Sequence, residues 1–182
     1  MAKGPVRKIE PIRAVVRPIN LAQHEVEVTL ELPGEALAKG AVVALPAWTP
    51  GSYLIRDYAR FVDRVVLRDS GGKIHSLEKL DKQRWQLPVL KGNASLSYRV
   101  FCNELSVRTN HVDAAHAQLV GAATFMYLEN EQHRAVEVRF KDFPKEWNVA
   151  SGLRSKDGVY RASSYEELVD SPFELGTFRL HA

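Results

Sequence analysis

His24-Glu25-Val26-Glu27-Val28-Thr29-Leu30-Glu31-Leu32 reads as a β-strand, and it sets the class of the fold. His24, Val26, Val28, Leu30 and Leu32 point one way, and Glu25, Glu27, Thr29 and Glu31 point the other. A period of two with one apolar face belongs to a strand that covers a core on one side and meets water on the other. Pro33-Gly34 ends it.

Strand signals continue on both sides of this stretch. Ile12 to Ile19 is apolar and β-branched, with Pro18 near its end, and Gly40 to Leu45 reads as a short buried strand. Leu96, Tyr98, Val100 and Cys102 alternate with Ser97, Arg99 and Phe101, and Val136, Val138 and Phe140 alternate with Glu137, Arg139 and Lys141. Gly121 to Leu128 is small and apolar, then aromatic, and Phe173 to Leu180 reads as a closing strand. Ser70-Gly71-Gly72-Lys73 and Lys156-Asp157-Gly158 are hairpin turns. Leu54 to Arg68 carries two signals. Its apolar residues fit a helical stripe, with arginines at 56, 60, 64 and 68, yet Val62 to Leu67 is β-branched. One helical turn near 54–60 followed by a strand satisfies both; a continuous helix over 53–68 is the alternative. Short helices are expected at Asp113 to Leu119 and at Ser164 to Val169, the latter capped by Ser163 or Ser164 with acids in its first turn. Many short strands separated by turns predict an all-β sandwich.

The chain has 182 residues, enough for one domain or a tight pair. It is 45% hydrophobic and 26% charged, and its net charge of +3 is spread among interspersed acids and bases. No continuous basic patch suits nucleic acid, and no apolar run reaches the roughly 18 residues of a membrane helix. Cys102, the one cysteine, sits in an alternating strand and is expected to be a buried, inert thiol. The basic start, Met-Ala-Lys-Gly-Pro-Val-Arg-Lys, has no apolar segment after it and does not read as a signal peptide. Cytoplasm and bacterial periplasm both fit.

A search for catalytic apparatus finds none complete. Among six histidines, His24-Glu25 opens like the zinc-peptidase motif H-E-x-x-H but continues Val26-Glu27-Val28 on a strand, where neighbours face opposite sides. His111 and His116 are five apart, which does not align them on a helix, so structural or surface roles are expected for every histidine and no metal site is assigned. Gly51-Ser52 lacks the second glycine of a nucleophile elbow.

Pro46 to Tyr58, in contrast, is too rich for a plain connection. Pro50-Gly51 suits the central positions of a type II turn, since proline fixes φ and glycine accepts φ > 0. That turn places Trp48 and Tyr53 on its flanks, while Arg56 and Asp57 pair or brace the backbone. In a helical turn Tyr53, Arg56 and Asp57 would share one side. Trp48, Tyr53, Arg56, Asp57 and Tyr58 are therefore the binding or domain-contact candidates, in a corner that either caps the core or docks another domain, a peptide or a sugar. Trp85 and Trp147 read as core residues.

Trp48-Thr49-Pro50-Gly51-Ser52-Tyr53 followed by Arg56-Asp57-Tyr58-Ala59-Arg60 closely resembles the N-terminal domain of the glycyl aminopeptidase family, zinc metallopeptidases often carrying a C-terminal PDZ domain. Lys82-Gln83-Arg84-Trp85 resembles its K-x-R-W stretch, and Val107-Arg108-Thr109-Asn110 its VRT segment. Tyr165 to Gly176 (YEELVDSPFELG) resembles the family's DELVDSPFEIG ending. The resemblance spans essentially the whole chain. It implies a β-sandwich or saddle of mostly antiparallel strands with one or two short helices. It also implies that residues 1–182 form a single N-terminal β-domain, the catalytic and PDZ domains lying outside this chain. H-E-x-x-H is missing, so no catalytic residue carries over to any position; zinc is expected in the catalytic domain and no cofactor in this chain. The expected partners are the parent's own catalytic domain and, through it, peptide substrate, with neither nucleic acid nor membrane. An apolar face left uncovered would favour self-association. The alternative is a free-standing binding module for peptide or carbohydrate, using Trp48 and Tyr53 as stacking platforms.

Overall fold

A computed structural model describes residues 9–179. In chain order its strands are β1 (Ile12–Asn20), β2 (Glu25–Leu32), β3 (Ala41–Ala44), β4 (Val62–Asp69), β5 (Ile74–His75), β6 (Glu78–Lys79), β7 (Arg84–Leu87) and β8 (Ala94–Phe101). They continue with β9 (Asn103–Ser106), β10 (Thr109–Val112), β11 (His116–Leu119), β12 (Tyr127–Leu128), β13 (Val136–Phe140), β14 (Asn148–Ser151), β15 (Arg154–Lys156), β16 (Val159–Ala162) and β17 (Phe173–Gly176). Three short helices, α1 (Gly34–Leu37), α2 (Gly121–Thr124) and α3 (Tyr165–Val169), lie between them.

The strands form three sheets with orders β15-β16-β13-β1-β2-β8-β4-β5, β14-β17-β11-β10-β9 and β12-β3-β7-β6. Of the pairings, β1 with β13 is parallel and the rest are antiparallel. The fold is thus a mostly antiparallel, sandwich-like β-domain, as the alternation in β2 predicts. β2 sits centrally in the large sheet, register Val28↔Val16 on one side and Val28↔Tyr98 on the other. Its buried face joins one core with Val43 and Trp85 of the smallest sheet and Val112, Leu119 and Phe173 of the middle one. Trp147 packs against that core half-buried.

Local chemistry explains most boundaries. Pro18 sits where the β1–β2 register shifts, since proline brings no ladder donor. Lys156-Asp157-Gly158 turns with Asp157 at φ 52° and Gly158 at φ 71°, two adjacent positive values suited to a tight hairpin. Ser164 caps α3, its Oγ accepting from the Glu167 amide at 3.3 Å. α2 and α3 touch at Gly121, where a Cβ would stand 2.4 Å from the Leu168 carbonyl oxygen, so only glycine admits this approach. Among the described residues no helix is long and apolar enough to cross a membrane.

Three expectations are corrected, and one pair of alternatives is decided. The helix expected over Asp113 to Leu119 is instead the second limb of a hairpin. Asp113 Oδ1 accepts from the amides of Ala115 (2.7 Å) and His116 (2.9 Å) and reverses the chain there. Ala117 and Leu119 are then buried at period two. Of the two readings of Leu54 to Arg68, the helical turn followed by a strand holds and the continuous helix does not: a single 3-10 turn spans Tyr58–Phe61, and β4 follows at once, as its β-branched run favours. Tyr53, Arg56 and Asp57 lie ahead of that turn, in irregular backbone rather than on a helical face. Finally, His24 is not in β2 but just before it, in the left-handed region at φ 60°. It closes a 3-10 turn (Leu21–Gln23) whose first amides are capped by Asn20 Oδ1. The closing strand ends at Gly176; Leu180, like the basic start and His181, lies outside the described residues.

Candidate functional site

The corner between β3 and the 3-10 turn folds back on itself. Ser52 N–H donates to the Thr49 carbonyl at 3.1 Å with Gly51 at φ 77°, which is the type II turn that Pro50-Gly51 predicts. The Ala47 carbonyl then accepts from Arg56 N–H (2.7 Å) and Asp57 N–H (3.3 Å), closing the loop at its base. Inside it, Trp48 Nε1 donates to the Ser52 carbonyl at 2.8 Å, and Ser52 Oγ donates to the Leu54 carbonyl at 2.8 Å while accepting from Arg56 Nε at 3.4 Å. Arg56 therefore braces the loop through Ser52, and Asp57 reaches Lys82 Nζ at 3.4 Å instead of Arg56.

A residue from another part of the chain locks the corner. Arg108 Nη1 donates to the Pro50 carbonyl (3.3 Å) and Thr49 Oγ1 (3.5 Å), and Arg108 Nη2 donates to the Gly51 carbonyl (3.0 Å). The planar fork of a guanidinium suits several oxygens at once. Thr109 and Asn110, which follow Arg108, are hydrogen-bonded as well. Thr109 Oγ1 donates to the Glu104 carbonyl at 2.8 Å. Asn110, buried, accepts from Val120 N–H (2.8 Å) and Thr124 Oγ1 (3.2 Å) and donates to the Ala123 carbonyl (3.2 Å). Asn110 thus holds α2, and α2 packs against Tyr58.

The five candidate residues separate in consequence. Tyr53 is fully exposed and Trp48 is 49% exposed, so both present ring surface. Tyr58 is 0% exposed, packed with Val120, Ala122 and Ala123, and anchors the corner from beneath. Leu54 and Ile55, not singled out by the sequence, are exposed beside Tyr53, as are Leu105 and Val107 next to the Arg108 clamp. The result is a stiff loop with an apolar outer surface.

A second constellation lies on the β10–β11 hairpin. His111 Nε2 is 3.2 Å from Asp113 Oδ2, His116 Nδ1 is 3.7 Å from Asp113 Oδ1, and His116 Nε2 is 3.8 Å from Glu174 Oε1. One donor atom from each of His111, Asp113 and His116 falls within 4.8 Å of the others. The Asp113 carboxyl is held down to about 2 by the His116 and Ala115 amides and by His111, whereas burial raises Glu174. Five apart in sequence, His111 and His116 meet as a diagonal pair on one face of the hairpin, His116 standing opposite Asp113 and the two rings 5.0 Å apart between centroids. Neither this hairpin nor His24, in its left-handed turn, supplies two imidazoles one helical turn apart with a glutamate between, so these residues do not fit a zinc-peptidase centre.

The sequence matches the Peptidase M61 N-terminal domain over residues 14–177. The chain belongs to that family. An aminopeptidase N family protein from Idiomarina loihiensis has a crystal structure similar to this M61 N-terminal domain, with a TM-score of 0.83 and 29% identity. The alignment covers 91% of this chain and 29% of that one. An M1 zinc metallopeptidase variant from Deinococcus radiodurans aligns at a TM-score of 0.42 and 12% identity over 93% of this chain and 42% of that one. The M61 N-terminal domain thus spans less than half the length of either structure, and no curated protein sequence matches it.

Proposed function

We propose that this domain is the non-catalytic N-terminal part of a zinc aminopeptidase, that it docks through the Trp48–Ile55 corner onto the parent's catalytic domain, and that it thereby helps wall the substrate cleft. The observation that carries this reading is the pairing of rigidity with exposure. Arg108, Ser52 and Ala47 fix the loop backbone, yet Trp48, Tyr53, Leu54 and Ile55 are turned to water. A loop held in one conformation loses little entropy on docking, and clustered exposed apolar side chains mark an interaction surface. Family membership supports this choice of partner, as does the length of the similar aminopeptidase N family structure, more than three times that of the aligned segment. Peptide then meets this domain at the cleft, and zinc belongs to the catalytic domain.

The test is Tyr53→Ser with Ile55→Ser in the full-length peptidase. Both side chains are exposed, so the fold of the domain should be unchanged by circular dichroism. The expected result is a several-fold loss in kcat/KM on a peptide substrate, together with faster proteolytic release of the domain. Wild-type kinetics and wild-type release from the doubly substituted enzyme would overturn the reading.

A further inference from the structure

We propose that His111, Asp113 and His116 form a binding site for a zinc-class divalent cation on the β10–β11 hairpin. The topology makes the site. His111 and Asp113 are two apart on one limb, and Asp113 stands opposite His116, bonded to it by Asp113 N–H to the His116 carbonyl at 3.0 Å. All three side chains therefore lie on one face of the hairpin. Two imidazoles and a carboxylate are donors that favour Zn²⁺, Ni²⁺ or Cu²⁺ over Mg²⁺ or Ca²⁺. In a tetrahedral zinc site with bonds near 2.0–2.1 Å the donors stand about 3.4 Å apart. The 4.8 Å limit here thus requires only side-chain adjustment.

The surroundings suit an ion as well. The His111 and His116 rings are 5.0 Å apart between centroids, and His24 lies 5.8 Å from His111 with its Nδ1 2.6 Å from the Val112 carbonyl. Glu174 on β17 brings a second carboxylate to His116. The backbone leaves room for the His116 side chain: a Cβ on Gly176, the residue paired with His116, would stand 3.2 Å from its Cβ. This glycine ends the YEELVDSPFELG stretch, so that motif terminates against the proposed ligand.

The experiment is calorimetric titration of the untagged 182-residue chain with zinc, repeated with cobalt to read tetrahedral coordination in the visible spectrum. One zinc per chain is expected. His116→Gln and Asp113→Asn should each weaken binding roughly tenfold or more, while His133→Gln, an exposed histidine elsewhere, should not. Asp113→Asn keeps the side-chain oxygen that accepts from Ala115 and His116, so it preserves the turn and separates loss of ligation from loss of fold. Absence of saturable binding by the wild type, or binding insensitive to both ligand substitutions, overturns the proposal.

Discussion

The Arg108 guanidinium reaches the Gly51 carbonyl at 3.0 Å across 57 residues of sequence, so the tip of one hairpin holds the turn of a distant loop. Arg108→Ala removes three hydrogen bonds from backbone and hydroxyl oxygens at once. The expected loss in global stability is only about 1 kcal/mol, because the site is partly solvated. The local effect is larger: amide exchange at residues 48–57 should quicken while β2 and β8 keep their protection. Arg108→Lys should rescue little, because an ammonium cannot replace the fork. Exchange rates in the corner equal to wild type would refute the clamp.

Two buried tyrosines predict opposite outcomes for the same substitution. Tyr98 OH donates to the Thr124 carbonyl at 3.0 Å and accepts from Met126 N–H at 2.9 Å, both groups buried. Tyr98→Phe strands them and should cost about 1–3 kcal/mol by urea unfolding. Tyr58 OH is equally buried and has no hydrogen-bond partner among the described residues. Tyr58→Phe keeps the ring and removes only the orphan hydroxyl, so it should be neutral or slightly stabilising. A destabilised Tyr58→Phe variant would show that the hydroxyl is in fact satisfied.

What could be read in the sequence follows from where the decisive interactions lie. β2 and β8 are legible because one buried face imposes a strict period of two over eight residues. The hairpin at Asp113 is not, because an aspartate can begin a helix or accept turn amides, and a four-residue strand is too short to show which. The corner at Trp48 is legible as a turn from Pro50-Gly51 alone. That Arg108 clamps it, and that His111 and His116 share a face, depend on strand pairing between distant or folded-back segments, which no local pattern encodes. The burial of Tyr58 is hidden for the same reason: nothing nearby in sequence says that α2 covers it.

Cys102 is fully buried between the large sheet and the β9–β10 hairpin, its amide bonded to the His24 carbonyl at 2.7 Å and its carbonyl accepting from Val112 N–H at 2.8 Å. Burial pushes the thiol up to about 12, so almost no thiolate exists near neutral pH. Disulfide-exchange reagents should leave the native chain unlabelled for hours and modify one thiol at once in denaturant. Rapid labelling of the native chain would mean that β8 opens locally at this point.

Acid should destabilise the domain through a few carboxylates whose partners are lost on unfolding. Asp63 is held below its ordinary value by hydrogen bonding to Arg99, and Asp69 below its own by hydrogen bonding to His75 and the turn amides of Lys73 and Gly71. Glu167 is lowered by both the hydroxyl and the amide of Ser163. In each case the folded state holds the proton less tightly than the unfolded one. Their contribution is therefore complete above the ordinary value, near 3.8 for the two aspartates, and disappears as pH falls through the lowered folded values. Urea midpoints should accordingly be level from about pH 6 to about pH 5 and decline below about pH 4. Asp69→Asn retains an acceptor for the turn amides but cannot titrate, so its decline should be shallower than that of the wild type. A midpoint that instead falls between about pH 7 and about pH 5 would overturn the assignment of the acid sensitivity to these carboxylates.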